Sequence, residues 1–136
     1  MSSICQLFYV SSATTPVDSA VIQHVLQVAR RNNRQLDVTG CLLYSGRYFA
    51  QVLEGRKEQV QPLARRIASD PRHRNVRILL ENHRIDRQYG GWSMGYLHDS
   101  ELEDSLEGLL LEGGEPSAIA DVIDRMKPDT VMGALA

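Results

Sequence analysis

Tyr9 and Gln51 are the residues of this 136-residue chain whose type and setting point most directly to chemistry. Gln51 stands in Tyr48-Phe49-Ala50-Gln51-Val52-Leu53, where strand alternation places it on one face between Phe49 and Leu53. Such a face should be covered, and a covered amide left unpaired costs about 1–3 kcal/mol. Gln51 has two N–H donors and an accepting oxygen, so it needs partners. Tyr9 stands in the run from Ile4 to Val10, which is apolar on most of both faces. A buried phenol also finds a partner. The two could satisfy each other inside a core, or both could face a bound group. Other polar and aromatic residues have plain readings of their own. Asn32-Asn33 suits a helix cap, Asp70 and Arg72 a surface ion pair, His73 a solvated loop, and Trp92 and Met94 a core. Taken together, amides, a phenol and an aromatic around an apolar slot between two helices match the usual form of a cofactor pocket.

The elements that must position these residues follow from the patterning. Ile4 to Val10 reads as a central strand, with Cys5, Leu7 and Tyr9 on one face. A helix follows, with Thr15 as N-cap, Pro16 at its first position and Asp18 in its first turn. Val17, Val21, Val25 and Val28, with Ile22, Leu26 and Ala29, give it a broad apolar stripe. Arg30, Arg31 and Arg34 bring positive charge to its C-terminal end, and Asn32-Asn33 closes it. Val38 to Gly55 reads as a β-hairpin turning at Ser45-Gly46-Arg47. A second helix carries Val60, Leu63, Ala64, Ile67 and Ala68, with Pro62 expected in its first turn. Asp70 to Asn75 reads as a loop, Val76 to Glu81 as a strand, and His83 to Gly91 as a further loop. A last strand from Gly91 to Leu97 sets Trp92, Met94 and Tyr96 on one face.

The resulting β-α-β-β-α-β-β order predicts an α/β (α+β) ferredoxin-like sandwich. Its five-stranded mixed sheet carries both large helices on one face, because right-handed crossovers put them there. The hairpin's second strand then lies between the first and second strands, next to Tyr9. From Asp99 onward, Leu102, Leu106, Leu109, Leu110 and Leu111 predict a short helix, Gly113-Gly114-Glu115-Pro116 breaks it, and Ser117 to Lys127 forms another. These short helices are expected to cover the opposite sheet face, which would otherwise be a large exposed apolar patch; a partner is the other option. This divides the chain into a domain over 1–98 and a helical extension over 99–136.

Composition narrows the function. With 43% hydrophobic and 24% charged residues, the chain is of ordinary globular type. A net charge of −2 gives no electrostatic support for nucleic-acid or acidic-membrane binding. No run is long and apolar enough for a membrane span, and the N-terminus lacks a basic segment leading into an apolar core. A cytoplasmic protein is expected, with Cys5 and Cys41 as free buried thiols and no metal site.

Six separated motifs, in order and at compatible spacing from about Leu7 to Leu97, resemble the BLUF domains, blue-light sensors using flavin. They are Phe8-Tyr9-Val10-Ser11-Ser12-Ala13, Asn32-Asn33, Thr39-Gly40-Cys41-Leu42-Leu43-Tyr44, Phe49-Ala50-Gln51-Val52-Leu53-Glu54-Gly55, Asp70-Pro71-Arg72-His73 and Trp92-Ser93-Met94. The C-terminal helices resemble those of short, stand-alone members, and no cyclase or phosphodiesterase domain is expected to follow. The resemblance implies a flavin, FAD or FMN, inserted between the two large helices against Val25, Leu42 and Phe49. It implies Asn33 on the ring's polar edge, with Asn32 assisting, and Arg72 near the phosphate end with Asp70 and His73. Gln51 would bridge Tyr9 and the flavin. Light would draw an electron and then a proton from Tyr9, and recombination would leave the Gln51 amide rotated or tautomerised. The last strand, with Trp92 and Met94, would pass the change to the C-terminal helices. The expected role is a non-enzymatic photoreceptor signalling to a downstream protein partner or through its own homo-oligomer. Two alternatives are weighed against it. A hydrolase of acylphosphatase type suits the fold, but Ser11-Ser12-Ala13-Thr14 lacks the Gly-rich, Arg-bearing phosphate loop that chemistry needs. A plain dimerisation module is compatible with the photoreceptor.

Overall fold

Strand alternation sorts the sheet's side chains into two apolar layers, and each layer is closed by its own pair of helices. The computed structural model describes residues 3–127. Its strands are β1 (Ile4–Ala13), β2 (Thr39–Tyr44), β3 (Tyr48–Gly55), β4 (His73–Arg84) and β5 (Gly95–His98). Its helices are α1 (Ser19–Leu36), α2 (Lys57–Ala68), α3 (Glu103–Glu112) and α4 (Pro116–Met126), with a 3₁₀ turn over Ser100–Leu102. The strand order is β4-β1-β3-β2-β5, antiparallel throughout except for the parallel β2–β5 pair. The expected sandwich and the central place of β3 are both present.

One layer holds Cys5, Leu7 and Tyr9 of β1, Leu42 of β2, and Phe49 and Leu53 of β3. Ile22 and Leu26 of α1 and Val60 and Ala64 of α2 close it. The other layer holds Phe8, Val10, Cys41, Leu43, Ala50 and Val52, and it is closed by Leu102, Leu106, Leu109 and Leu110 with Ile119, Val122, Ile123 and Met126. The C-terminal helices therefore cover the far face of the sheet. Leu111 does not join them; it is 70% exposed, turned away from the stripe formed by its neighbours. Residues 128–136 of the expected extension lie outside the described residues.

Several boundaries differ from those expected, each for a local reason. α1 starts at Ser19, because Asp18 is its N-cap and accepts from Val21 N–H at 2.9 Å. Thr15-Pro16 lies ahead of the helix, where the Val17 N–H is taken by the Tyr44 hydroxyl at 3.2 Å. At its other end α1 runs through Asn32-Asn33 to Leu36. Asp37 takes the left-handed cap at φ 56°, a conformation Asp tolerates better than most residues. Pro62 is interior to α2 rather than in its first turn, which is already closed by Gln59 and Val60 N–H on the Arg56 carbonyl. β4 begins at His73, well before the expected Val76, with Asn75 in the left-handed region at a bulge opposite Val10–Ser12. As an edge strand it carries polar residues facing solvent, which hides it from an apolar pattern. The last strand is short, since pairing with β2 begins only at Gly95.

Both ends of β3 are tied to other elements. At the hairpin turn, Glu103 of α3 accepts from the Ser45 hydroxyl, from Arg47 N–H at 2.9 Å and from Arg47 Nε at 2.7 Å, while the Tyr48 hydroxyl donates to Glu107 at 2.7 Å. At the far end, fully buried Glu54 accepts from Gln6 Nε2 at 3.0 Å and from the main-chain N–H groups of Gln88 and Tyr89 at 2.9 Å. That contact straps the segment leading to Trp92 and Met94 onto the sheet.

Leu106 is fully buried in the far layer. Replacing it with alanine removes a large apolar side chain from a closed layer, and Leu106→Ala is expected to lower unfolding free energy by about 2–5 kcal/mol in urea titration. Leu111→Ala, on the same helix but exposed, is expected to change it by less than about 0.5 kcal/mol.

Candidate functional site

Tyr9 and Gln51 face each other directly in the β1–β3 register. The Tyr9 hydroxyl donates to Gln51 Oε1, and Gln51 Nε2 donates to Met94 Sδ at 3.3 Å. A thioether is a weak acceptor, and among the described residues no other group takes the amide's second N–H. Burial pushes the Tyr9 pKa well above the ordinary phenol value, with the Asp70 charge adding to it, so the hydroxyl keeps its proton. The His73 ring lies edge-on to Tyr9 at 6.0 Å between centroids and 4.8 Å from Phe49, with Nδ1 2.7 Å from the Ser11 hydroxyl. Burial lowers the His73 pKa more than nearby Asp70 raises it, favouring a neutral imidazole. Asp70 is held below the usual carboxylate range by its bonds from Arg72, at 2.7 and 3.0 Å from the guanidinium and 2.9 Å from the main chain.

These groups surround a cavity of about 320 Å³ between α1 and α2, within the range of small-molecule sites. Tyr9, Leu42, Phe49 and Gln51 form its sheet side, Val25, Asn32 and Asn33 come from α1, and Asp70, Arg72 and His73 lie beyond the end of α2. Every residue expected around the slot is thus present in its lining except Trp92. Trp92 packs with the opposite layer, 6.1 Å from the Tyr89 ring, while Met94 is fully buried beside Gln51. The expected sharing of one face by Trp92 and Met94 fails because the chain bends at Ser93 ahead of β5, so strand alternation does not reach back to Trp92. Gly95 makes this possible: a Cβ there would lie 2.3 Å from the indole.

Asn32 and Asn33 are helical rather than capping residues. Asn33 Nδ2 donates to the Ser93 carbonyl at 2.8 Å, which leaves its oxygen free for a donor in the cavity. Arg66 and His24 also line the cavity and were not expected there. Arg66 was findable, since it falls beside Leu63 and Ile67 at helical spacing on the same face of α2. His24 carries no such signal.

The residues present fit a flavin. The cavity offers apolar walls for a ring system, an unused amide N–H on Gln51 for a heteroatom acceptor, the Asn33 oxygen for an imide N–H, and guanidinium groups at Arg66 and Arg72 for phosphate. An apolar slot between helices with amides at its inner end has the form of a site for a hydrogen-bonding ring compound. A family model described as BLUF, sensors of blue-light using FAD, matches residues 4–95, and the chain belongs to this family. It is 39% identical over 94 residues to the blue light- and temperature-regulated antirepressor BluF of Escherichia coli, covering 68% of this chain and 23% of that protein. It is 36% identical over 95 residues to the photoactivated adenylate cyclase subunit alpha of Euglena gracilis, covering 68% of this chain and 9% of that protein. The chain thus spans under a quarter of the length of these curated relatives. Among solved structures, the dark state of the BLUF protein BlrB superposes with a TM-score of 0.75 at 29% identity, covering 90% of this chain and 93% of that one. Klebsiella pneumoniae BlrP1 with FMN superposes at 0.66 and 31% identity, over 92% of this chain and 30% of that one. Flavin is the cofactor of the family. No helix among the described residues is long and apolar enough to cross a membrane.

His73 provides a pH test of the site. Its folded pKa lies below the ordinary 6.5. The unfolded chain therefore binds the proton first, and this part of the stability is fully present above pH 6.5 and declines as pH falls through the folded value. In flavin-free protein, His73→Asn is expected to flatten the dependence of unfolding free energy on pH between pH 7 and the acid limb, measured by urea titration.

Proposed function

We propose that this protein is a non-enzymatic blue-light sensor in which the 1–98 domain holds FAD or FMN between α1 and α2 and the helices of the 99–136 extension carry the output. Bound there, a flavin supplies blue-light absorption and an excited state that accepts an electron. The chain's own residues supply the rest. Val25, Leu42 and Phe49 pack the ring, Asn32 and Asn33 hold its polar edge, and Arg72, steadied by Asp70 with His73 alongside, meets the phosphate end. Tyr9 is the electron donor, an oxidisable phenol whose burial keeps its proton in place in the dark. Gln51 is the switch. Its amide has two hydrogen-bonding arrangements, one with Oε1 toward Tyr9 and one reached by rotation or tautomerisation. Met94 senses which is present, because its sulfur can accept from the amide nitrogen but offers nothing to the amide oxygen. Trp92, on the opposite layer, is the link to the helices covering that face, where a downstream protein or a second copy of the chain reads the change.

The observation that carries this reading is the half-satisfied Gln51 amide, with one end fixed by a phenol and the other given only a thioether at the wall of the slot. A core pair with no ligand would leave that donor at a cost and serve no purpose.

The purified protein is expected to be yellow, with a flavin band that shifts reversibly to the red under blue light. Tyr9→Phe and Gln51→Leu are each expected to retain flavin, measured by absorbance after gel filtration, and to lose the shift. A Tyr9→Phe protein that switches fully rules out the mechanism.

A further inference from the structure

Arg30 has no role in the cleft and is not a helix-end charge. Of the arginines near the end of α1, only Arg34 falls in the last turn. Arg30 instead donates through Nε to the main-chain carbonyl of Met94 at 2.9 Å. One turn further on, Asn33 donates to the carbonyl of Ser93 at 2.8 Å. Two successive carbonyls are thus gripped from one face of α1, immediately ahead of Gly95, where pairing of β5 with β2 begins. The gripped residue is the one whose sulfur takes the Gln51 amide. Arg30 itself touches neither Tyr9 nor Gln51, and it does not line the cavity. Its guanidinium is partly withdrawn from water, which lowers its pKa, with the Arg34 charge adding to this.

We infer that Arg30 is a positioning residue for the light switch: it holds the Met94 main chain so that the thioether stays in reach of the Gln51 amide. This rests on the proposed reading of Tyr9 and Gln51 as the switch and adds a residue outside the cleft that sets its lifetime. Return to the dark arrangement requires the amide nitrogen to find the sulfur again. A Met94 whose main chain is held presents that sulfur in place, whereas a loosened one must first be captured. Release of the clamp therefore slows recovery. The effect runs through a hydrogen bond rather than through charge, so a lysine able to reach the same carbonyl preserves part of it.

The test compares Arg30→Gln and Arg30→Lys with the parent protein by two readouts. The first is the dark-recovery rate of the flavin band after blue light. The second is the Met94 methyl resonance in flavin-free protein, which needs no photochemistry. Arg30→Gln is expected to slow recovery at least threefold and to shift or broaden the Met94 methyl signal, with the urea midpoint little changed. Arg30→Lys is expected to fall between Arg30→Gln and the parent. Recovery slowed by less than threefold, a Met94 signal that does not move, or equal effects of Gln and Lys would each overturn the inference. If the parent protein shows no light response, the photoreceptor reading fails, and the methyl signal alone still decides whether Arg30 positions Met94.

Discussion

The hydrogen bond from the Tyr9 phenol to the Gln51 amide oxygen is the constraint on which the rest of the site depends. It spans two adjacent strands at a direct cross-strand pair, so it exists only if β1 and β3 hold one register. A slip of one residue would send Gln51 to the far layer and bring Ala50 opposite the phenol. In this arrangement the phenol donates, so the amide oxygen faces Tyr9 and the nitrogen points away toward Met94. That orientation creates the polarity of the cleft, with a donor directed at Met94 and at whatever fills the slot.

The elements around this pair divide the work between two layers. α1 and α2 stand apart over the Tyr9 layer and leave a cavity, whereas α3 and α4 close the opposite layer with leucine, isoleucine, valine and methionine. A sheet with one open and one sealed face gives a ligand a place to enter without exposing the rest of the core. Most of the cavity-lining side chains come from strands and helices. Val17, Met94, Asp70 and Arg72 come from connections, and Asp70 and Arg72 lie at the polar end of the slot.

Much of this was legible in the sequence. The alternation of Phe49, Gln51 and Leu53 gave the face of each residue, and the element order gave the sheet topology that makes β1 and β3 neighbours. The six motifs from Tyr9 to Met94 gave the family. What the pattern hid has physical causes. Asn32-Asn33 has the composition of a helix end, but Asp37 caps the helix one turn later, so the asparagines became lining residues instead. Arg74 and Asn75 look like loop because an edge strand keeps half its surface in water. Trp92 and Met94 stand two apart, as two residues on one strand face would, yet the bend at Ser93 sends them to opposite layers. Nothing in spacing alone distinguishes a bent approach from an extended strand, and the clue lies in Gly95, where only hydrogen leaves room for the indole.

The ties at the two ends of β3 have a mechanical consequence. Glu103 grips the turn at one end, and Glu54 binds the strap at the other. The strand is a beam tied at both supports, so sliding along its own axis would break the bonds at both ends. A strand held at both ends meets its neighbours crosswise, and on the side of β2 and β5 the Gln51 amide already reaches the segment ahead of β5 through Met94.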